Sequence, residues 1–146
     1  YFRGPLMLAS LFLPVGQMKF AIALLAGPQD PAARSALKFA RAVLEQGHEI
    51  SHLFFYRDAV HLATELAVSP QDEADIHEQW RAFISECELD AVVCIAAALK
   101  RGVLDEKEAA RWNRPASNTG KPWELSGLGQ WIEALQTADR AITFGT

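Results

Sequence analysis

Cysteine is scarce in this sequence, and so is almost everything that marks a cofactor pocket or a nucleic-acid surface. Of 146 residues only Cys87 and Cys94 are cysteines. Two are too few for a disulfide-stapled scaffold, and a chain of this length can bury a full core without one. Their spacing is not that of a C-x-x-C pair, and no metal site is expected. The turn Ala26-Gly27-Pro28-Gln29-Asp30-Pro31 lacks both G-x-G-x-x-G and G-K-[ST], and its two prolines stiffen a loop where a phosphate cradle needs backbone donors. No nucleotide or other cofactor is expected. The basic residues, 14 against 18 acidic for a formal charge of −4, are scattered, which disfavours direct nucleic-acid binding. No apolar run is long enough to span a membrane.

What remains is the composition of a globular domain, half hydrophobic and 22% charged. Residues 1–17 stand apart, with Arg3 as their single charge, Pro5 and Pro14, and an apolar stretch from Leu6 to Val15. They read as a leader or cloning-derived extension outside the fold, the alternative being a weak signal peptide. Residues 18–146 read as one domain.

Apolar runs alternate with helical patterns along that domain. Lys19 to Leu25 is a near-continuous apolar run, as in a strand covered on both faces. Asp30 and Pro31 open a helix carrying Ala33, Ala36, Leu37, Ala40, Val43 and Leu44, which Gly47 stops. His48 to Tyr56 reads as a strand, Ala59 to Ala67 as a short helix, and Asp72 to Cys87 as a helix with Trp80, Phe83, Ile84 and Cys87 on its apolar stripe. Asp90 to Cys94 is a short buried strand, and Gly102 to Arg111 a short exposed helix. Trp112 to Pro122 is irregular, bracketed by Trp112 and Trp123 as core plugs or partner anchors. Ser126 caps a last helix bearing Leu128, Trp131, Ile132 and Leu135, and Asp139 to Phe144 closes the sheet. The fold class is α/β, a three-layer α/β/α sandwich with a mostly parallel sheet of about five strands.

Cys94 ends a buried strand, and the carboxyl ends of such strands are where ligands and reacting groups collect. Lys100 and Arg101, with backbone N–H groups after the strand, would favour its thiolate, the nucleophilic form. The plainer reading of a Val-Val-Cys-Ile run is inert packing. Cys87 belongs to a helical stripe and reads as packing. His48 and His52, beside a strand, read as structural, and His61 lies nearer the carboxyl side of the sheet. Asp105, Glu106 and Glu108 read as a solvated helix face, and Gly127 and Gly129 as a hint of close backbone approach.

Several ordered blocks carry a resemblance. Gly47-His48-Glu49 leads into Phe54-Phe55-Tyr56-Arg57, and Ala96-Ala97-Ala98-Leu99-Lys100-Arg101-Gly102-Val103 runs into Asp105-Glu106-Lys107-Glu108-Ala109. Ser117-Asn118, Leu125-Ser126-Gly127-Leu128-Gly129 and Asp139-Arg140 follow in order. From Met18 onward the chain resembles the DsrE-like sulfur-relay family, in its TusD/DsrE branch. The resemblance implies that Cys94, immediately before the Ala-Ala-Ala segment, carries sulfane sulfur as a persulfide. It implies a heterohexamer with TusB-like and TusC-like subunits or their Dsr counterparts; the scarcity of cysteine suits a reducing, cytoplasmic compartment. It also implies a TusA-like donor and a TusE-like or DsrC-like acceptor; from charge and run length, no direct contact with nucleic acid or membrane is expected. The expected use is 2-thiouridine synthesis in tRNA, with dissimilatory sulfur oxidation as the alternative. A non-catalytic sister subunit with a buried Cys94 and a flavodoxin-like binding module are the competing classes. The segment Asp58-Ala59-Val60-His61-Leu62-Ala63 departs from the family pattern, and no role is carried onto it.

Overall fold

A computed structural model describes residues 16–146, so the expected leader lies outside the described residues up to residue 15. Five strands form one sheet: β1 (Lys19–Leu24), β2 (Glu49–Phe55), β3 (Ala91–Cys94), β4 (Trp123–Ser126) and β5 (Arg140–Phe144). Their spatial order is β4-β3-β2-β1-β5, and every neighbouring pair is parallel. Parallel pairing demands crossovers; helices α1 (Pro31–Glu45), α2 (Ile76–Glu86) and α5 (Leu128–Thr137) supply three of the four, and two shorter helices lie in the β3-to-β4 connection. Helices α1 and α2 pack on each other over one face. On the other face Trp131 of α5 stacks on Phe54 of β2, ring centroids 5.3 Å apart. The three-layer α/β/α arrangement is therefore as the alternation of patterns predicts.

Local chemistry sets the ends of the helices. Asp30 caps α1 by accepting from the Ala32 N–H at 2.8 Å, with Pro31 in the first turn. At the other end Gly47 and His48 donate to the carbonyls of Leu44 and Val43. Gly47 takes φ +85°, a left-handed conformation that glycine adopts without a Cβ penalty. Asp75 caps α2, three residues after the expected start, because Asp72 to Ala74 fall in a turn that follows Pro70. Within α2 the Arg81 guanidinium bonds Glu78 and holds that exposed carboxyl below its ordinary range.

Three expectations need correction. Cys87 is exposed: α2 ends at Glu86, and Cys87 is the cap residue before Glu88, whose φ of +51° turns the chain away from the core stripe. Ser126 caps nothing: Trp123–Ser126 is an edge strand, Ser126 pairs in register with Cys94, and Gly127 precedes α5. Four residues between Pro122 and Gly127 are too few to display a strand period. Glu108 is 3% exposed, and one of its carboxylate oxygens accepts from Trp112 Nε1 at 3.2 Å. Helix α4 (Glu106–Arg111) turns that residue inward, while Glu106 stays exposed and Asp105 caps the helix.

Candidate functional site

Strand β3 is four buried residues, Ala-Val-Val-Cys, flanked by β2 and β4. β-Branched residues suit such a strand, and alternation puts Cys94 on the same face as Val92, with Ser126 beside it in β4. The chain then turns directly into α3 (Ile95–Lys100), with Cys94 as the residue before its first turn. Cys94 therefore stands at the carboxyl end of the sheet, over strands β2 to β4 rather than at the β1/β5 reversal of strand order.

Cys94 is 3% exposed and forms part of a cavity of about 370 Å³. Ile95, Ala96 and Ala97 of α3 line it, with Gly127 and Leu128 from the end of β4 and the start of α5. Tyr56 and Arg57, from the exit of β2, complete it together with Lys100 and Arg101. The small side chains at positions 96, 97 and 127 leave the space, so the thiol is at once buried and adjacent to an opening. Sequence reasoning placed Cys94, Lys100 and Arg101 here, and Gly127 as a hint. It missed Tyr56, Arg57 and Leu128, whose part depends on three strand ends meeting.

The two expected cations differ in situation. Arg101 Nε donates to an Asp58 carboxylate oxygen at 2.9 Å, and another Arg101 nitrogen donates to the Ala97 carbonyl at 3.2 Å. Lys100 is exposed and makes no ion pair with any described residue. Asp58 lies in the first turn of the 3-10 helix Arg57–Ala63 and begins the segment that departs from the family pattern. With Asp58 67% and Arg101 29% exposed, this pair is largely solvated. Asp58→Ala is expected to lower stability by under about 1 kcal/mol in urea titration. A larger loss would mean that the pair holds α3 in place.

The histidines fall outside the cavity. His48-Glu49-Ile50-Ser51-His52 spells H-E-x-x-H, which binds zinc when a helix brings its ends together. Here β2 extends it, setting its ends roughly 13 Å apart. His48 Nδ1 instead accepts from the Met18 N–H at 3.1 Å, at the amino end of the sheet. Among the described residues no group of three or more His, Cys, Asp or Glu side chains could hold a metal ion. A larger cavity of about 510 Å³ lies beyond α3, with Leu66, Leu99, Leu104, Trp112 and Pro115 in its walls. Among the described residues no thiol, imidazole or carboxylate lines it.

The burial of one thiol and exposure of the other give a size test. Iodoacetamide is expected to modify both cysteines of the native protein, whereas a maleimide on a polymer of several kilodaltons should label Cys87 alone until urea is added. Polymer labelling of native Cys94 would contradict the cavity.

Comparison with known proteins gives a consistent picture. Residues 18–144 match the model of the DsrE/DsrF-like family. A protein of Pseudomonas aeruginosa named sulfurtransferase TusD homolog is 59% identical over 128 residues, covering 88% of this chain and 98% of that one. DsrE of Allochromatium vinosum is 47% identical over 129 residues, 88% of this chain and 99% of the relative. The crystal structure of the ychN protein from E. coli superposes with a TM-score of 0.66 at 19% identity, covering 88% of this chain and all of that one, which is a likeness of fold.

Proposed function

The chain belongs to the DsrE/DsrF-like family, and from that premise we propose that it is a sulfurtransferase of the sulfur-relay type in which Cys94 is the carrier. The observation that carries this reading is the position of Cys94 at a carboxyl strand end, in a cavity with Arg57, Lys100 and Arg101. The Cys94 thiolate attacks the outer sulfur of a donor persulfide. A sulfur–sulfur bond forms on Cys94, the donor's bond breaks, and the donor leaves as its thiolate. In the second half the acceptor thiolate attacks the outer sulfur now on Cys94, and Cys94 leaves as thiolate. Oxidation state is conserved, since one sulfur–sulfur bond is exchanged for another. Neither a metal nor a nucleotide takes part.

The proposed donor is a TusA-like protein, the acceptor TusE-like or DsrC-like, and the end use 2-thiouridine in tRNA. The 47% identity to DsrE keeps sulfur oxidation as the second reading. TusB-like and TusC-like sister subunits are the proposed assembly partners. Leu128, Ile132 and Leu135, 49%, 56% and 42% exposed along one side of α5, give such an assembly an apolar face to cover.

Intact-mass spectrometry after incubation with a cysteine desulfurase, cysteine and a TusA-like carrier tests the proposal. A reducible gain of about 32 Da is expected in wild type and Cys87→Ser but not in Cys94→Ser, as thiolate exchange requires. An unmodified wild type, or sulfur on Cys87, would leave Cys94 as packing and the chain as a structural subunit.

A further inference from the structure

We infer that the mouth of the Cys94 cavity is a cationic rim that receives the thiol-bearing partner through an acidic segment of that protein. The inference rests on Cys94 being the sulfur carrier and adds the chemistry by which a partner is recognised. Arg57, Lys100 and Arg101 all line the cavity, and among the described residues no acidic one lines it. Asp58 stands just behind, and its carboxylate is engaged by Arg101 at 2.9 Å. That pairing leaves Arg57 and Lys100, both exposed and neither in an ion pair with any described residue.

Two features make this more than a chance of composition. The whole chain carries −4, so positive charge gathered at one cavity runs against the average. Arg57 also holds φ +51°, a left-handed backbone that is sparsely populated by residues with a side chain. Glycine would take that conformation at no steric penalty, yet an arginine stands there, directly after β2 and at the rim.

An acidic peptide stretch fits this rim better than RNA. Phosphate backbones select a stripe of cations along a surface, whereas two free cations flanking a small opening match two or three carboxylates beside a reactive sulfur. Charges so placed mainly accelerate encounter and reject the wrong partner.

The test uses Cys87→Ser protein, in which Cys94 is the one remaining thiol. Its substrates are eight-residue peptides whose single cysteine is a disulfide with 2-thiopyridine, flanked by Glu, Ser or Lys. Attack by Cys94 on the peptide sulfur releases pyridine-2-thione, followed by absorbance. At low salt the Glu peptide should react at least about tenfold faster than the Lys peptide, falling to within about twofold in 0.5 M NaCl. The same collapse is expected in Arg57→Gln/Lys100→Gln protein, while Arg57→Lys should keep the preference. Equal rates at low salt, or a preference indifferent to the double variant, would overturn the rim. So would an oligoribonucleotide that suppresses the reaction more strongly than poly-glutamate. If even the Ser peptide fails to react, Cys94 is not a reachable nucleophile, and the carrier role falls along with the rim. A Ser peptide that reacts with no charge preference removes the rim alone.

Discussion

Cys94→Ser protein will relay no sulfur: in a complete system of donor, relay subunits and acceptor, transfer should fall by at least about a thousandfold, the scale on which a nucleophile is missed. The hydroxyl is the nearest isostere of the thiol, though smaller, but it cannot become a persulfide or leave as a stabilised thiolate. Because position 94 is 3% exposed, serine also buries a hydroxyl among apolar neighbours. That should lower stability by about 1 to 3 kcal/mol, so the variant must be assayed well below its melting temperature. Cys94→Ala separates the two effects, since it removes the sulfur without burying a polar group. Both variants should be inert in relay, and Cys87→Ser should be as active as wild type. Transfer at the wild-type rate by folded Cys94→Ser would assign the chemistry to a sister subunit.

Burial is the quantity that divides the two cysteines, and their neighbours in the chain mislead about it. Ile76, Trp80, Phe83, Ile84 and Cys87 recur at helical spacing, so the stripe alone assigns Cys87 to the core. What exposes it is the chain reversal at Glu88, where no glycine or proline announces a stop. Cys94 is the converse. Its run of small and β-branched residues says buried strand, and it is buried, yet Ala96, Ala97 and Gly127 leave an opening beside it. Gly127 stands in register just past Ser126, the partner of Cys94, but a four-residue edge strand bounded by Pro122 carries no period to reveal that pairing.

The larger scaffold was more legible, because it rests on repeated patterns rather than on single turns. The apolar runs of β1 and β2, the Asp30 and Pro31 start of α1 and its Gly47 stop specify one β-α-β unit from local chemistry alone. Alternation does the rest, since parallel strands need crossovers and right-handed crossovers fix the faces. Arg57 and Asp58 lay beyond that logic. Both looked like a strand exit; the place of Arg57 in the cavity and the pairing of Asp58 with Arg101 depend on where α3 ends, more than forty residues later.

The largest stability effect is expected not at the site but beneath it, at Trp80. Its side chain is fully buried on α2, edge-on to Phe55 of β2 at 5.2 Å, and beside Phe83 at 6.2 Å. Its indole N–H donates to the Ala33 carbonyl at 3.1 Å, which ties α2 to α1. Trp80→Ala removes the indole from all three contacts and should cost about 3 to 5 kcal/mol, from lost apolar burial plus the cavity left behind. Against a total of roughly 5 to 15 kcal/mol that is about a fifth or more, and the melting temperature should fall by about 10 to 20 °C. Trp80→Phe keeps most of the packing and loses the hydrogen bond, so it should cost about 1 to 2 kcal/mol. Trp112→Ala, at a half-exposed position, should cost less than Trp80→Ala. Phe55 immediately precedes Tyr56 and Arg57, so a hollow beneath it loosens the rim as well as the core. At temperatures where Trp80→Ala stays folded, Cys94 should therefore admit larger alkylating reagents than in wild type. Unchanged size selection in a measurably destabilised Trp80→Ala protein would mean that α3 and β4 hold the cavity without help from α2.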